Sequence, residues 1–198
     1  MVHVPAAPWM TESEIQLFAR WLPFGCIALE FGVGGSTRFF FENGGFKLAS
    51  VEGDRAWGQS ILEDPFLAFF IKNGRLSLHL PDIGPILPDA CSTPQDPPMP
   101  QWLRYHSEIW DNIDCANLGF ILIDGRFRLS CALQSIIRCA QRPTVLMHDF
   151  WNRPMYHPVL EFMDVLDRDG SLVVLRQKES IDWRKLVRCL QRSQFDPS

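Results

Sequence analysis

A glycine-rich turn between a predicted strand and a predicted helix is the strongest chemical signal in the chain. Apolar residues lead into this turn, which holds the residues that could touch a ligand: Glu30, Gly32, Gly34, Gly35, Ser36 and Thr37. Glycines let a backbone turn tightly and approach a ligand, and the helix that follows offers free N–H groups to polar or anionic atoms. The carboxylate of Glu52, at the end of the next predicted strand, could accept hydrogen bonds from both hydroxyls of a ribose. The pattern therefore predicts a nucleoside site.

Polar side chains also end two later apolar runs. Asp124 follows Phe120–Ile123, and His148 and Asp149 follow the run that begins at Thr144. A carboxylate or an imidazole at such a place could remove a proton from an acceptor, and histidine titrates in the useful pH range. Asp124, His148 and Asp149 are therefore the candidate catalytic residues, with His148 or Asp149 as the base. The alternative is that the His-Asp pair only caps the segment that follows it.

Three arginines accompany these candidates: Arg126, Arg128 and Arg153. Guanidinium groups near a ligand mouth could clamp a carboxylate or phosphate, so the acceptor is a small molecule that could be anionic. The alternative is that the arginines pair with Asp124, Asp149 or Glu161 and hold the loops. The tryptophans Trp102, Trp110 and Trp151 are candidate walls for the acceptor pocket.

The elements that must position these residues alternate regularly along the chain. Short apolar runs predict strands at Cys26–Glu30, Phe46–Val51, Leu76–Leu80, Gly119–Ile123, Thr144–His148 and Ser171–Arg176. Longer periodic segments predict helices at Ser36–Phe41, Ala56–Ile71, Trp102–Ile113, Cys131–Ala140, Tyr156–Leu166 and Trp183–Leu190. Strict alternation predicts an α/β fold that is Rossmann-like and doubly wound, with a mostly parallel sheet and helices on both faces. Parallel strands end at one edge, so the polar candidates should share a crevice there.

The length and the flanking segments fit one domain over residues 1–198. Residues 1–25 are predicted to form an N-terminal helical cover, because Thr11 to Glu14 reads as a capping box ahead of an apolar stripe. Residues 81–101 form a proline-rich loop, since seven prolines between Pro81 and Pro100 exclude a regular helix or central strand. The loop leaves the third strand and should border the same crevice.

Charge and cysteine usage limit the class of protein. The formal net charge of −4 leaves no general basic face, so nucleic acid is not an expected partner. The six cysteines lack CxxC spacing and are interpreted as reduced thiols, and the chain shows no export signal and no apolar run long enough for a membrane span. These features predict a cytoplasmic protein and leave its oligomeric state undetermined.

The pattern Glu30-x-Gly32-x-Gly34-x-Ser36 resembles the first motif of class I S-adenosylmethionine-dependent methyltransferases. The resemblance extends over most of the chain, from Glu14 to Gln177. It implies S-adenosylmethionine as cofactor, with Glu30 near the methionine ammonium, Glu52 on the ribose, Asp82 near the adenine amine and Asp124 facing the methyl donor. Family members commonly end with an antiparallel hairpin, whereas only Ser171–Arg176 reads as a strand after the last large helix, which leaves the seventh strand without a counterpart.

The resemblance also bears on metal binding. Asp124 and Asp149 stand where catechol-type O-methyltransferases hold Mg²⁺, but Phe150 replaces the asparagine of that subgroup. Two carboxylates without a third oxygen ligand make a weak magnesium site, so no metal is predicted.

The sequence thus predicts methyl transfer from S-adenosylmethionine to a small or medium acceptor. One alternative is an NAD(P)-dependent oxidoreductase, which is disfavoured because Thr37 replaces the third glycine of the dinucleotide fingerprint and no Tyr-x-x-x-Lys pair is present. The other alternative is a non-catalytic cofactor-binding or assembly module that keeps the same fold.

Overall fold

The computed structural model describes residues 4–87, 94–95 and 100–198. Within these ranges the chain forms one seven-stranded sheet with the order β3-β2-β1-β4-β5-β7-β6. The strands are β1 Ile27–Phe31, β2 Lys47–Val51, β3 Leu76–His79, β4 Leu118–Ile123, β5 Thr144–Met147, β6 Met163–Asp169 and β7 Leu172–Gln177. Strands β1 to β5 are parallel, and β7 runs antiparallel to both β5 and β6. The predicted doubly wound α/β architecture is confirmed.

Helices join the strands on both faces of the sheet. The α-helices are α1 Glu12–Trp21, α2 Gly35–Glu42, α3 Arg55–Glu63, α4 Pro65–Lys72, α5 Leu103–Ser107, α6 Arg128–Arg138 and α7 Trp183–Ser193. Short 3₁₀ helices occupy Pro100–Trp102, Glu108–Asp111, Cys115–Asn117 and Pro154–Glu161. The predicted helix Ala56–Ile71 is two helices, because the Asp64 side chain accepts the N–H groups of Phe66 and Leu67 and so starts a new one. None of the helices in the described ranges has the length and apolar content needed to cross a bilayer.

No sign of a seventh strand was found in the sequence, and the expectation that this strand is missing is wrong, because the sheet has seven strands. The segment predicted as the helix Tyr156–Leu166 is instead a 3₁₀ helix followed by the strand β6. Pro158 cannot donate a backbone hydrogen bond and so disfavours a continuous α-helix. Strand β6 lies at the edge of the sheet, and most of its side chains are exposed or half-buried. It therefore lacks the clean alternation by which a half-buried strand is recognised.

Two clusters of buried side chains cover the two faces of the sheet. One contains Leu29 and Phe31 of β1, and the other contains Ala28 of the same strand, because successive side chains point to opposite faces. Trp102 and Trp110 lie within the first cluster and are 1% and 5% exposed. The interpretation of these two residues as walls of an acceptor pocket is therefore wrong. Trp151 is half-buried and packs against the same cluster.

Candidate functional site

The glycine turn links β1 to α2 and is closely enclosed by neighbouring backbone. Gly32 has φ +89°, and a Cβ added there would lie 2.7 Å from the Cα of Gly125, in the loop after β4. A Cβ added to Gly35 would collide with the carbonyl oxygen of Ala7, so the N-terminal segment crosses the beginning of α2. The close approach on both sides requires glycine at these two positions.

Glu30 is held inside the protein by three hydroxyl groups. Its carboxylate accepts hydrogen bonds from Ser36 Oγ at 2.5 Å, Thr37 Oγ1 at 2.7 Å and Ser50 Oγ at 2.9 Å. Burial raises the pKa of Glu30, the three hydroxyl groups oppose this in part, and the result is a pKa of about 7. The side chain, 1% exposed, thus ties β1 to α2 and β2.

Ser50 was not among the residues that the sequence predicted for this site. Ser50 lies directly opposite Glu30 in the parallel register of β1 and β2. A polar residue at the matching position of the next apolar run was the signal that could have identified it.

Glu52 lies against the same turn at the end of β2. Its carboxylate accepts the backbone N–H groups of Val33 at 3.4 Å and Asp54 at 2.9 Å. Burial raises its pKa, and these backbone donors act in the opposite direction. The Trp57 indole donates to the Val33 carbonyl at 2.7 Å and fixes the other side of the turn. The structure therefore brings together the two features predicted to hold a nucleoside.

Asp82 is placed differently. It is exposed, and its carboxylate accepts the N–H of Gly84 at 3.1 Å within a local turn. Within the described part of the chain it makes no hydrogen bond to the other predicted site residues. The predicted proline-rich loop over residues 81–101 lies in part outside the described residues; Pro81, Pro85, Pro94 and Pro100 are described.

Two apolar side chains cover the glycines that follow β2 and β4. A Cβ added to Gly53 would lie 2.5 Å from Ile83 Cδ1, and one added to Gly125 would collide with the Tyr105 hydroxyl oxygen. That oxygen accepts the backbone N–H of Arg126 at 3.2 Å. Burial raises the pKa of Tyr105 well above its usual value, and the nearby charge of Glu52 raises it further. The residues fit a nucleoside in type and place, but a nucleoside at Glu52 requires the side chains of Ile83 and Tyr105 to move.

The predicted catalytic residues converge beside this crevice. Asp124, His148 and Asp149 each place a ligand atom within 4.8 Å of the others. His148 Nδ1 lies 3.0 Å from Asp124 Oδ1, and its Nε2 lies 3.7 Å from Glu14 Oε2. Burial lowers the pKa of His148, but the hydrogen bond and the charge of Asp124 outweigh it, so the pKa is raised. His148 therefore lies between two carboxylates, which favour its protonated form.

Glu14 was recognised from the sequence only as a helix-capping residue. Besides the Thr11 N–H, its carboxylate accepts the backbone N–H of Ser171 at 2.7 Å and the Ser171 hydroxyl at 2.8 Å. Burial raises its pKa, but these donors lower it more, to about 2. No sequence signal placed it beside His148, because the two residues are far apart in the sequence.

Arg128 and Arg153 hold the loops, as the alternative interpretation had it. Arg128 lies 3.2 Å from Asp149 and 3.3 Å from Asp124, and Arg153 lies 3.2 Å from Asp149. Arg126 is half-buried, and its side chain makes no ion pair with any residue that the structure describes. Asp149 has φ +54°, a strained conformation for a residue other than glycine, of the kind that clusters at functional sites.

No protein-family model matches the chain, and no curated protein sequence matches it. Among solved structures, a methyltransferase-like protein from Silicibacter pomeroyi is 25% identical, with a TM-score of 0.77 over 98% of this chain and 100% of that chain. A ribosomal protein L11 methylase from Lactobacillus delbrueckii subsp. bulgaricus is 10% identical, with a TM-score of 0.53 over 89% of this chain and 83% of that chain. An RNA methyltransferase from Salinibacter ruber, in complex with S-adenosyl-L-homocysteine, is 10% identical, with a TM-score of 0.50 over 88% and 96% of the two chains.

The chain therefore has the fold of the class I S-adenosylmethionine-dependent methyltransferases. This confirms at the level of the fold the resemblance drawn from the glycine turn. The methyltransferase-like protein at 25% identity supports methyl transfer in general, whereas the two structures at 10% identity bear on the fold alone. The acceptor has to be argued from the site itself.

Proposed function

We propose that this protein binds S-adenosylmethionine at the carboxyl edge of β1, β2 and β4 and transfers its methyl group to a small or medium acceptor. The observation that carries the proposal is the contact between Glu52 and the glycine turn, in which Glu52 accepts the N–H of Val33. A buried carboxylate beside a glycine turn suits a ribose whose hydroxyls donate to it. Tests with cofactor analogues come first because they do not need the acceptor.

The residues divide into a binding set and a reacting set. Glu52 holds the ribose, and Gly34, where an added Cβ would come no closer than 3.8 Å to Trp57, leaves room for the ligand. Gly32 and Gly35 shape the turn, because they let the backbone of Gly125 and Ala7 pass closely. Ser36 and Thr37 keep the turn in shape through Glu30, and the resemblance adds Asp82 near the adenine. When bound, S-adenosylmethionine supplies an electrophilic methyl group on a sulfonium sulfur.

The polar cluster of Asp124, His148 and Asp149 aligns the acceptor. The side chains of Asp124 and Asp149 are 22% and 24% exposed, which makes them the groups that can contact an acceptor. Burial raises the pKa of Asp149, but the charges of Arg128, His148 and Arg153 lower it more, so the carboxylate is ionised. An ionised carboxylate orients a hydroxyl or amine by accepting its hydrogen bond, which is the main requirement of an in-line displacement. His148 is a positioning residue, since both of its ring nitrogens face carboxylates.

The acceptor is argued from the arginines of the same site. Arg126 is the arginine left to meet an anionic group on a small-molecule acceptor, because Arg128 and Arg153 are paired. The expectation that nucleic acid is not a partner rests on the net charge of −4.

A second candidate function is a non-catalytic module with the same fold. The observation in its favour is the cover over the crevice, in which Ile83 and Tyr105 fill the space above Gly53 and Gly125. A module that serves assembly alone would keep Glu30 and Glu52 as structural residues and would not bind the cofactor, and the first experiment separates it from the enzyme. A module that binds the cofactor without catalysis would instead bind it tightly and stay inactive in a broad screen of acceptors.

S-adenosylhomocysteine is expected to raise the thermal midpoint of unfolding, whereas NAD and NADP are not. A ligand that binds only the native state stabilises it by about 2.7 kcal/mol at a concentration of ~100 times its dissociation constant. Differential scanning calorimetry with each ligand checks this. A shift with NAD alone would favour the oxidoreductase, and no shift with any of the three would favour the non-catalytic module.

Glu52→Gln is expected to weaken binding of S-adenosylhomocysteine by about 1–3 kcal/mol, because the amide loses the charge that strengthens the hydrogen bonds from the ribose hydroxyls. Titration calorimetry measures the change. Glu63→Gln, an exposed position on α3, is the matched control and should leave the affinity unaltered. Equal affinities in the wild type and Glu52→Gln would remove Glu52 from the cofactor site.

A further inference from the structure

The Arg128 side chain makes three hydrogen bonds and two ion pairs within the candidate site. It begins α6 and is 3% exposed. Its Nη1 donates to the carbonyl of His148 at 2.6 Å, its Nη2 to the carbonyl of Asp124 at 3.2 Å and its Nε to the carbonyl of Gly125 at 2.9 Å. One guanidinium therefore joins the loop after β4 to the loop after β5.

The same group lies between the two carboxylates. Nη1 of Arg128 is 3.3 Å from Asp124 Oδ1 and 3.2 Å from Asp149 Oδ2. These two carboxylates, with His148, are also the residues whose ligand atoms are close enough together to hold a metal ion. The guanidinium thus stands where a divalent cation would have to contact both carboxylates.

The cluster already contains two cations. Arg128 lies between Asp124 and Asp149, and Arg153 lies beside Asp149. A divalent cation bound to the same carboxylates would be repelled by both guanidinium groups. A cation in the first turn of a helix also opposes the helix dipole, so helix stability does not explain an arginine at this position.

We infer that the Arg128 guanidinium takes the place of a divalent cation in this site and holds Asp124 and Asp149 without a metal. Arg128 is then a positioning residue whose bonds to three carbonyls fix the carboxyl ends of β4 and β5. The inference goes beyond the proposed methyl transfer and does not depend on it, because it concerns which cation the two carboxylates hold. It also predicts that removal of the guanidinium exposes a latent metal site.

The test compares the effect of Mn²⁺ and Mg²⁺ on the wild type and on Arg128→Ala. The wild type is expected to show the same thermal midpoint with and without either ion. Arg128→Ala is expected to be less stable and to regain stability with Mn²⁺, and its affinity for Mn²⁺ in titration calorimetry should exceed that of the wild type at least ~10-fold. The double variant Arg128→Ala/Asp149→Asn should lose the response, because one carboxylate ligand is gone. Arg138→Ala, on the same helix and half-exposed at its side chain, is the control and should behave as the wild type.

The outcomes decide the inference in either direction. A Mn²⁺ response in the wild type that disappears in Asp149→Asn would overturn it, since the metal would then bind beside the arginine. A folded Arg128→Ala without any Mn²⁺ response would also overturn it. If Arg128→Ala does not fold, Arg128→Met keeps most of the side-chain volume and takes its place. Binding of S-adenosylhomocysteine by the wild type is measured separately, so a failure of the proposed function is distinguished from a failure of this inference.

Discussion

Gly32→Ala is expected to lower the free energy of unfolding by about 4 kcal/mol. The native φ of +89° costs a residue with a side chain about 1–3 kcal/mol. The new Cβ would also lie 2.7 Å from the backbone of Gly125, and relief of such an overlap costs a further ~1–3 kcal/mol. Neither backbone can move freely, because Gly32 donates to the Val51 carbonyl and Asp124 donates to that of Phe31. Denaturation with urea, followed by circular dichroism, measures the loss.

Gly25→Ala separates the two causes. Gly25 also has a positive φ, +71°, but a Cβ there would meet nothing within 4 Å. This variant should lose only the conformational part, about 1–2 kcal/mol. Equal losses in the two variants would show that contact with Gly125 contributes nothing to the requirement for glycine at position 32.

Ionisation of Glu30 alone is expected to lower the free energy of unfolding of the wild type by about 3 kcal/mol as the pH rises from about 4.5 to above 7. Burial raises the pKa of Glu30 from 4.5 to about 7 in the folded state. The folded protein therefore binds more protons than the unfolded chain over this interval, so the contribution is fully present below pH 4.5 and is lost as the pH rises through 7. His148, whose folded pKa is also raised, adds a loss in the same direction at higher pH.

Glu30→Gln isolates the contribution of Glu30. The glutamine keeps the shape of the side chain but does not ionise, so the fall in unfolding free energy between about pH 4.5 and about 7 should be reduced by most of the 3 kcal/mol. Urea titrations at a series of pH values give the two curves, and Glu63→Gln, an exposed carboxylate, should follow the wild type. Parallel curves for the wild type and Glu30→Gln would show that Glu30 is not buried as a raised-pKa acid.

Local signals predicted most of the fold. The apolar runs that gave β1, β2, β4 and β5 are buried on both faces, so their composition alone marks them as central strands. Strand β6 was missed because it pairs on one side only, with β7, and carries charged residues such as Asp164 and Arg168 at exposed positions. A strand that is stabilised by its neighbour rather than by burial leaves little trace in its own sequence.

The approach of Asp124, His148 and Asp149 was predictable from the sequence, but their bonding and several other residues of the candidate site were not. Asp124, His148 and Asp149 come together because parallel strands end at one edge, and that rule needs only the strand assignments. The partners of Glu30 and His148 required tertiary detail, since Glu14 approaches from the N-terminal helix and Ser50 from the next strand. Tyr105 carried no signal at all, because a buried aromatic side chain after an irregular loop looks the same whether it fills a core or a crevice.

The cover formed by Ile83 and Tyr105 sets a limit on how tightly the protein can hold a ligand. Under the proposed function, a nucleoside reaches Glu52 only in those molecules whose cover has moved away from Gly53 and Gly125. The apparent dissociation constant then equals the intrinsic constant divided by the fraction of open molecules. Each tenfold decrease in the open fraction removes about 1.4 kcal/mol of binding free energy. An acceptor or partner that binds the open form more tightly would raise the fraction of open molecules and so strengthen cofactor binding. The two ligands would then bind cooperatively without any contact between them.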